Sequence, residues 1–469
     1  MTQIVENICQ LPQGWVWTTL VEILDFVKGK KPANIGLKKE SLNIPYIDIQ
    51  AFEKGIVNRF TDGRNCPICE ADDILIVWDG ARCGLVGKGV SGAIGSTLAK
   101  LVYYHISPDY LFYFLLSKFN FINKRPRGVG IPHVDPNIFW SIPFPLAPIN
   151  EQFRIVGKVE ELFSFLDAGI ASLRAVQAQL KRYRQAVLQN ACDGKLTEKW
   201  RRKNPNVQSS KDRWNILFGS KEIAYLPKLP NSWVYRNLEE VSEKVSVGHV
   251  GITSRFYCNR NEGVTFLRSQ NVRQGKLSLE GIEYITKEFH SKLRKSQLRS
   301  GDLLIVRVGA NRGDACIMPK GYPEANCANI VFARPRSGIS DFLGIYFQTE
   351  ICRKLMLGMS TGSAQGVINT KAVSKVPIPI PPVEEQPQII QEVERYLSII
   401  EKTELSANQW IAQTSVLKQS ILSAAFTGKL VAQNPDGEPA EKLLERIKAE
   451  RFSNKSKSNN QLELSQYVK

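Results

Sequence analysis

The sequence has no long apolar stretch. Its longest uninterrupted aliphatic–aromatic run, Tyr110–Leu116, is seven residues, against the roughly 20 that a membrane-spanning helix needs. The start, MTQIVENICQLPQGW, carries neither a basic cluster nor an apolar core of the secretory type. Together these predict a cytoplasmic protein with no membrane association. Histidine is scarce, four in all, and none pairs with a nearby Ser or Cys in an evident triad context. The nine cysteines are odd in number and scattered, several inside apolar runs (Cys316, Cys327), and so read as reduced thiols. Acidic residues are in the minority, 45 against 62 Lys and Arg, for a net charge of +17. A surplus of that size favours a polyanionic partner, because cations laid along phosphates release condensed counterions.

What is present is a sequence written twice. Leu11-Pro-Gln-Gly-Trp15-Val returns as Leu229-Pro-Asn-Ser-Trp233-Val, and Asp73-Ile-Leu-Ile-Val77 with Gly80-Ala81 returns as Asp302-Leu-Leu-Ile-Val306 with Gly309-Ala310. Ile142-Pro-Phe-Pro-Leu-Ala-Pro-Ile-Asn-Glu-Gln152 matches Val376-Pro-Ile-Pro-Ile-Pro-Pro-Val-Glu-Glu-Gln386, and LQNACDGKL at 188–196 matches LSAAFTGKL at 422–430. The last two pairs share one offset of 234 residues, whereas the earlier pairs lie at 218 and 229. A rigid module therefore alternates with one whose loops have changed length.

The rigid module reads as helix. Apolar positions spaced three and four apart run from Ile155 through Val159, Leu162, Leu166, Gly169, Leu173, Val176, Leu180 and Tyr183 to Val187. In the second copy they run from Ile389 through Val393, Tyr396, Ile400, Thr403, Ala407, Trp410, Thr414 and Leu417 to Ile421. This spacing predicts a coiled-coil seam, with Gly194 and Gly428 as helix stops. Forty residues make a rod of about 60 Å, and two rods of equal length predict a mutual antiparallel pair. The variable modules, about 12–148 and 229–380, alternate short β-rich runs (72–78, 264–267, 302–308, 329–333) with Gly-rich loops. One helix is expected near 109–118 and another near 341–355. The expected fold is α+β.

Motifs for catalysis are weak. Cys66-Pro-Ile-Cys69 has no second Cys-x-x-Cys and no nearby histidine to complete a zinc site, and a thiol oxidoreductase using Cys66 and Cys69 is the one enzymatic alternative. Gly87-Lys-Gly89-Val-Ser-Gly92 spells a dinucleotide fingerprint but is followed by strand- or turn-like residues rather than a helix.

The charge map is more informative. Net charge is +2 over 1–150, +7 over 151–228, +9 over 229–380 and −1 over 381–469. The second variable module combines twelve arginines with Gln and Asn, side chains able to bond base edges in pairs. Its candidate DNA-contacting residues are Arg268, Gln270, Asn271 and Arg273, then Asn311 and Arg312, then Ser363 and Gln365 on glycine-hinged loops. Lys30, Lys31, Arg82, Arg125 and Arg127 occupy comparable places in the first module.

These features resemble the specificity subunit of type I restriction–modification systems. The resemblance is carried by the junction Pro143-x-Pro145-x-x-Pro148-x-x-Glu151-Gln152 with its second copy. Leu180-Lys-Arg-Tyr-Arg-Gln-Ala-Val-Leu188, running into Gly194-Lys-Leu-Thr-Glu-Lys-Trp200, carries it too, as does the stretch Gly437–Arg451. It implies two mixed α/β target recognition domains, 1–148 and 229–380, joined by two long antiparallel coiled-coil helices in a pseudo-two-fold repeat. The helical spacers would fall at 149–200 and 381–430, with a linker at 201–228 and a segment at 431–469 whose Asn/Ser/Lys-rich part after Phe452 has the composition of a disordered tail. It further implies that each domain reads one half of a bipartite site in double-stranded DNA. Two modification subunits would bring S-adenosylmethionine and adenine-N6 methylation, and restriction subunits would bring ATP- and Mg2+-dependent translocation and cleavage. This chain itself would be non-catalytic and bind no cofactor or metal. A solitary DNA- or RNA-binding scaffold is the alternative from another class.

Overall fold

The computed structural model describes residues 10–466 except 90, 129, 214–225, 337, 359–365 and 435–436. The chain forms two compact units, Met1–Ser172 with Gln409–Lys469, and Leu173–Asn408. Both are α+β and share one plan.

In the first unit, Val16–Thr19 pairs antiparallel with Pro143–Leu146. Prolines are tolerated there because the ribbon has only two strands and their missing N–H groups fall on its open edges. A four-stranded sheet follows in the order Leu24–Lys28, Leu98–Tyr103, Ile74–Val77, Val86–Lys88. All four residues of Ile74–Val77 are buried, as expected for an uninterrupted β-branched and aliphatic run. Asp73 precedes that strand, accepts the Glu70 N–H at 2.7 Å and holds Lys100 Nζ at 2.9 Å. A smaller sheet pairs Ile44–Ile47 parallel with Gly92–Ile94. The helix Pro108–Asn123 starts with proline after Ser107, whose hydroxyl accepts the Tyr110 N–H.

The second unit repeats each part. Val234–Asn237 pairs with Pro377–Ile380, the sheet order is Ser242–Val247, Ile330–Pro335, Leu303–Val306, Ala315–Ile317, and Gly263–Leu267 runs parallel to Ala325–Cys327. Asp302 stands where Asp73 stands, and Arg334, two ladder positions beyond the equivalent of Lys100, holds it through Nε and Nη2 at 2.9 and 2.8 Å. The helix expected near 341–355 is two helices, Ser340–Tyr346 and Glu350–Gly358.

The long helices are Ile149–Cys192 and Gln386–Phe426. Both stop at the expected glycines, with φ of +72° at Gly194 and +70° at Gly428. Matching six-residue closures follow, Lys195 N–H to Asn190 O and Lys429 N–H to Ala424 O, each at 2.8 Å. Within each unit the helices pair antiparallel. Asp167 meets Lys418 at 2.7 Å in the first, and in the second Gln177 meets Asn408 at 2.8 Å and Arg184 meets Glu401 at 3.8 Å.

The seam differs from its expected register in the middle. Ile155, Val159, Val187, Ile389, Val393, Ile400, Ala407 and Ile421 are buried. Gly169, Val176, Tyr183, Thr403, Trp410 and Leu417 are exposed, Trp410 by 64%. Where a module covers the helix, the seven-residue register is buried on both sides. Elsewhere one partner helix shields a stripe too narrow for all of it.

Two other expectations need correction. The stretch read as linker, 201–228, begins inside the helix Glu198–Lys203 and contains the helix Ser210–Arg213. The segment read as a disordered tail continues the helix Ala440–Gln466. That helix is anchored by Ala440, Leu443 and Ile447 in the first core, so its later turns are added by propagation rather than by a costly new nucleus. No helix among the described residues is long and apolar enough to cross a membrane.

Candidate nucleic-acid interface

Register decides which loops meet. In the first unit Lys28 faces Ala99 across one ladder and Val77 faces Leu98 across the next, so the loops after Leu24–Lys28 and after Ile74–Val77 leave the same end of the sheet. Lys28 Nζ closes them with a 2.6 Å ion pair to Asp79 Oδ2. Gly29 lies so close to the neighbouring backbone that a Cβ would sit 2.1 Å from Gly95 O. This close approach fixes the start of the Lys30–Lys31 loop.

A third loop joins the same end. Val134 N–H donates to Trp78 O at 2.9 Å and Gly80 N–H to Pro132 O at 2.8 Å, while Arg127 and His133 exchange backbone bonds of 2.9 and 3.0 Å. His133 Nδ1 lies 2.7 Å from Asp79 Oδ1, so Asp79 binds Lys28 with one oxygen and His133 with the other. All five basic candidates of the first module therefore sit on three loops at one sheet end. Lys30, Lys31 and Arg127 are exposed and their side chains form no hydrogen bond or ion pair with another described residue. Arg82 lies 3.5 Å from Glu53. Arg125 stacks over Phe121 at 4.3 Å.

The second unit builds the same end. Val247 faces Val331 and Val306 faces Ile330. Gly248 N–H donates to Ile330 O and His249 N–H to Cys327 O, both at 2.8 Å, as Gly29 and Lys30 do with Leu98 and Ile94. Asn311 is exposed on the loop after Leu303–Val306. Arg312 on that loop bonds Gly366 O, and Arg353 braces it through Asp314 at 2.7 Å and Arg312 O at 3.1 Å. Ser363 and Gln365 lie outside the described residues.

The Arg268–Arg273 stretch is only partly available. Arg268 pairs with Glu283 at 3.0 Å and Gln270 donates to Gly281 O at 3.0 Å, yet both keep a surface position beside the same sheet end, where Ser269 Oγ reaches Asn329 O at 3.1 Å. Arg273 is half-buried and donates to its neighbour Val272 O at 3.2 Å. Asn271 is fully buried: its amide donates to Ser278 O and Glu280 O at 3.1 Å, and its oxygen accepts the Arg268 N–H at 2.9 Å. Asn271 holds the loop and is withdrawn from the candidate set.

Two elements were missed from sequence. Arg307, in the position that Trp78 takes in the first repeat, has a buried Nε with no hydrogen-bond partner among the described residues. Its place directly after the repeated Asp-led strand was a usable signal. The Lys28–Asp79–His133 arrangement had none, since its members are far apart in sequence. Burial pushes the Cys66 and Cys69 thiols above the ordinary range, the opposite of the shift a nucleophilic thiolate needs.

The two α+β modules share one plan, each gathering basic side chains at the same end of its sheet, joined in the second by Asn311. The chain belongs to the family of the type I restriction modification DNA specificity domain, whose model matches residues 12–182 and again 230–408. It is 28% identical to the type I restriction enzyme EcoKI specificity subunit of Escherichia coli K12, over 96% of this chain and 98% of that one. It is 25% identical to the MjaVIII specificity subunit of Methanocaldococcus jannaschii, over 91% of this chain and 95% of that one. Among solved structures, a chain described in a study of complex assembly and conformational transition of the type I system superposes with a TM-score of 0.63 at 20% identity, over 90% of this chain and 99% of that chain. The HsdS subunit from Thermoanaerobacter tengcongensis does so at 0.51 and 20% identity, over the same shares. These two likenesses show the fold.

Proposed function

We propose that this chain is the specificity subunit of a cytoplasmic type I restriction–modification complex, and that each module binds one half of a bipartite site in double-stranded DNA. The observation that carries this reading is the convergence of Lys30, Lys31, Arg82, Arg125 and Arg127 on one sheet end, with Asn311 and Arg312 at the matching end of the second module. Cations of this kind bond phosphates and guanine edges, and the amides pair with adenine. Arg268, Gln270, Arg273, Ser363 and Gln365 remain proposed contacts of the second module. Two modification subunits would supply S-adenosylmethionine and adenine-N6 methylation, and restriction subunits the ATP- and Mg2+-dependent cleavage.

Single-molecule sequencing of DNA from a methylation-free host tests this. Coexpression of the chain with its modification subunit is expected to place N6-methyladenine at one split motif. A stable complex that leaves the DNA unmethylated would overturn the reading in favour of a binding scaffold.

A further inference from the structure

In the first module, the loop between Arg127 and His133 carries an aliphatic side chain where only cations were anticipated. The loop is closed by the reciprocal Arg127–His133 backbone bonds and fixed to the sheet by Pro132 O, Val134 N and the His133–Asp79–Lys28 chain. Gly128 is left-handed at φ +96°, and a Cβ there would lie 3.0 Å from Ile131 O. On this anchored loop Ile131 is 63% exposed and packs against none of the first unit's core. Arg125 and Arg127, both exposed, precede it in sequence.

In the major groove of B-DNA the thymine C5 methyl is the apolar handle that base edges offer. An arginine of the same loop can bond guanine O6 and N7 or a phosphate, which places the loop while the aliphatic side chain reads a methyl group. We propose that Ile131 is a specificity-determining residue of the first module, contacting the C5 methyl of a thymine in that module's half-site. The inference rests on the half-site reading proposed above.

The test uses the full chain in complex with its modification subunit and duplexes in which each thymine of the first half-site is replaced in turn by deoxyuridine. One replacement is expected to weaken binding about fourfold, the worth of one buried methyl group. The Ile131→Ala variant is expected to bind the thymine and uracil duplexes equally at that position while keeping its response to every other base change. A first half-site without thymine, binding indifferent to every uracil, or a uracil effect unchanged in Ile131→Ala would each overturn the proposal. Because Ile131 lies outside the core, its loss leaves folding intact. Sequence-specific methylation that ignores uracil removes only the role of Ile131, whereas loss of all sequence specificity in the unsubstituted complex removes the half-site reading as well.

Discussion

Glu385 accepts the indole N–H of Trp233 at 2.8 Å on one oxygen, and on the other takes the Thr197 hydroxyl at 2.5 Å and the Arg201 guanidinium. This joint ties the Leu-Pro-x-x-Trp motif to the proline-rich Glu-Gln motif, the two most plainly repeated stretches of the sequence. The neighbouring glutamine acts alike in both copies: Gln152 donates to Ala147 O at 2.8 Å and Gln386 to Pro381 O at 3.3 Å. In the first unit Trp15 and Glu151 are equally buried, but Trp15 Nε1 and Glu151 Oε1 lack a well-formed hydrogen bond. Burial pushes the Glu151 carboxyl above its usual range, with partial relief from Trp15, Arg154 and Gln433.

Equivalent substitutions at the two joints are expected to act with opposite sign. Glu385→Gln strands the Arg201 charge in a buried place and destabilises the second unit by about 3 kcal/mol. Glu151→Gln removes a burial penalty and raises the melting temperature at neutral pH. The sign follows from linkage. With its folded pKa raised, Glu151 contributes fully below the ordinary carboxylate pKa and loses that contribution as pH rises through the raised value. The advantage of Glu151→Gln is therefore expected to fade at about pH 4 and reappear towards pH 8. Thermal denaturation across that window checks both variants.

Lys31→Ala and Arg127→Ala are each expected to weaken DNA binding and to reduce the slope of log affinity against log salt by about 1, with thermal stability unchanged. Asn271→Ala is expected to do the reverse. It costs about 1–3 kcal/mol of stability through backbone groups left without partners, and it leaves the salt slope alone. Salt titrations of binding alongside melting curves separate the two classes.

Exchanging residues 229–380 for the corresponding module of a relative is expected to change one half-site only. Methylation mapping of the exchanged chain checks this, and a change in both halves would show that the modules do not read independently.

Four residues added to the first long helix, at matched positions with four in the second, extend each by about 6 Å. The expected result is a longer gap between half-sites, by about two base pairs, with the half-site sequences unchanged. Methylation mapping reads this directly, and an unaltered gap would rule out the helices as the spacing element.

Much of this was legible because the chain repeats itself. The shared offset of 234 residues located both helix stops and both Glu-Gln joints, and the Asp-led strands at 73 and 302 marked the centre of each sheet. The common direction of the Lys30, Arg82 and Arg125–Arg127 loops was not legible, because it depends on Leu98 facing Val77 and Ala99 facing Lys28 across antiparallel ladders. Asn271 looked like a base reader because residue type does not report burial; its loop closes over it through Ser278 and Glu280. Trp410 and Leu417 fit a heptad that no helix or module covers, since periodicity states which face is apolar and not what lies against it.

The helix that begins at Ala440 packs into the first core, and Arg451 grips Asp25 at 2.7 and 2.8 Å while Lys448 meets Glu22 at 2.9 Å. Those partners are separated by more than four hundred residues of chain, and Leu173–Asn408, the whole of the second unit, lies between them. During synthesis the second unit therefore leaves the ribosome complete while the first still lacks the helix that seals it. The module encoded first is the one finished last, and its apolar face must stay guarded for the time that translation takes to supply the intervening chain.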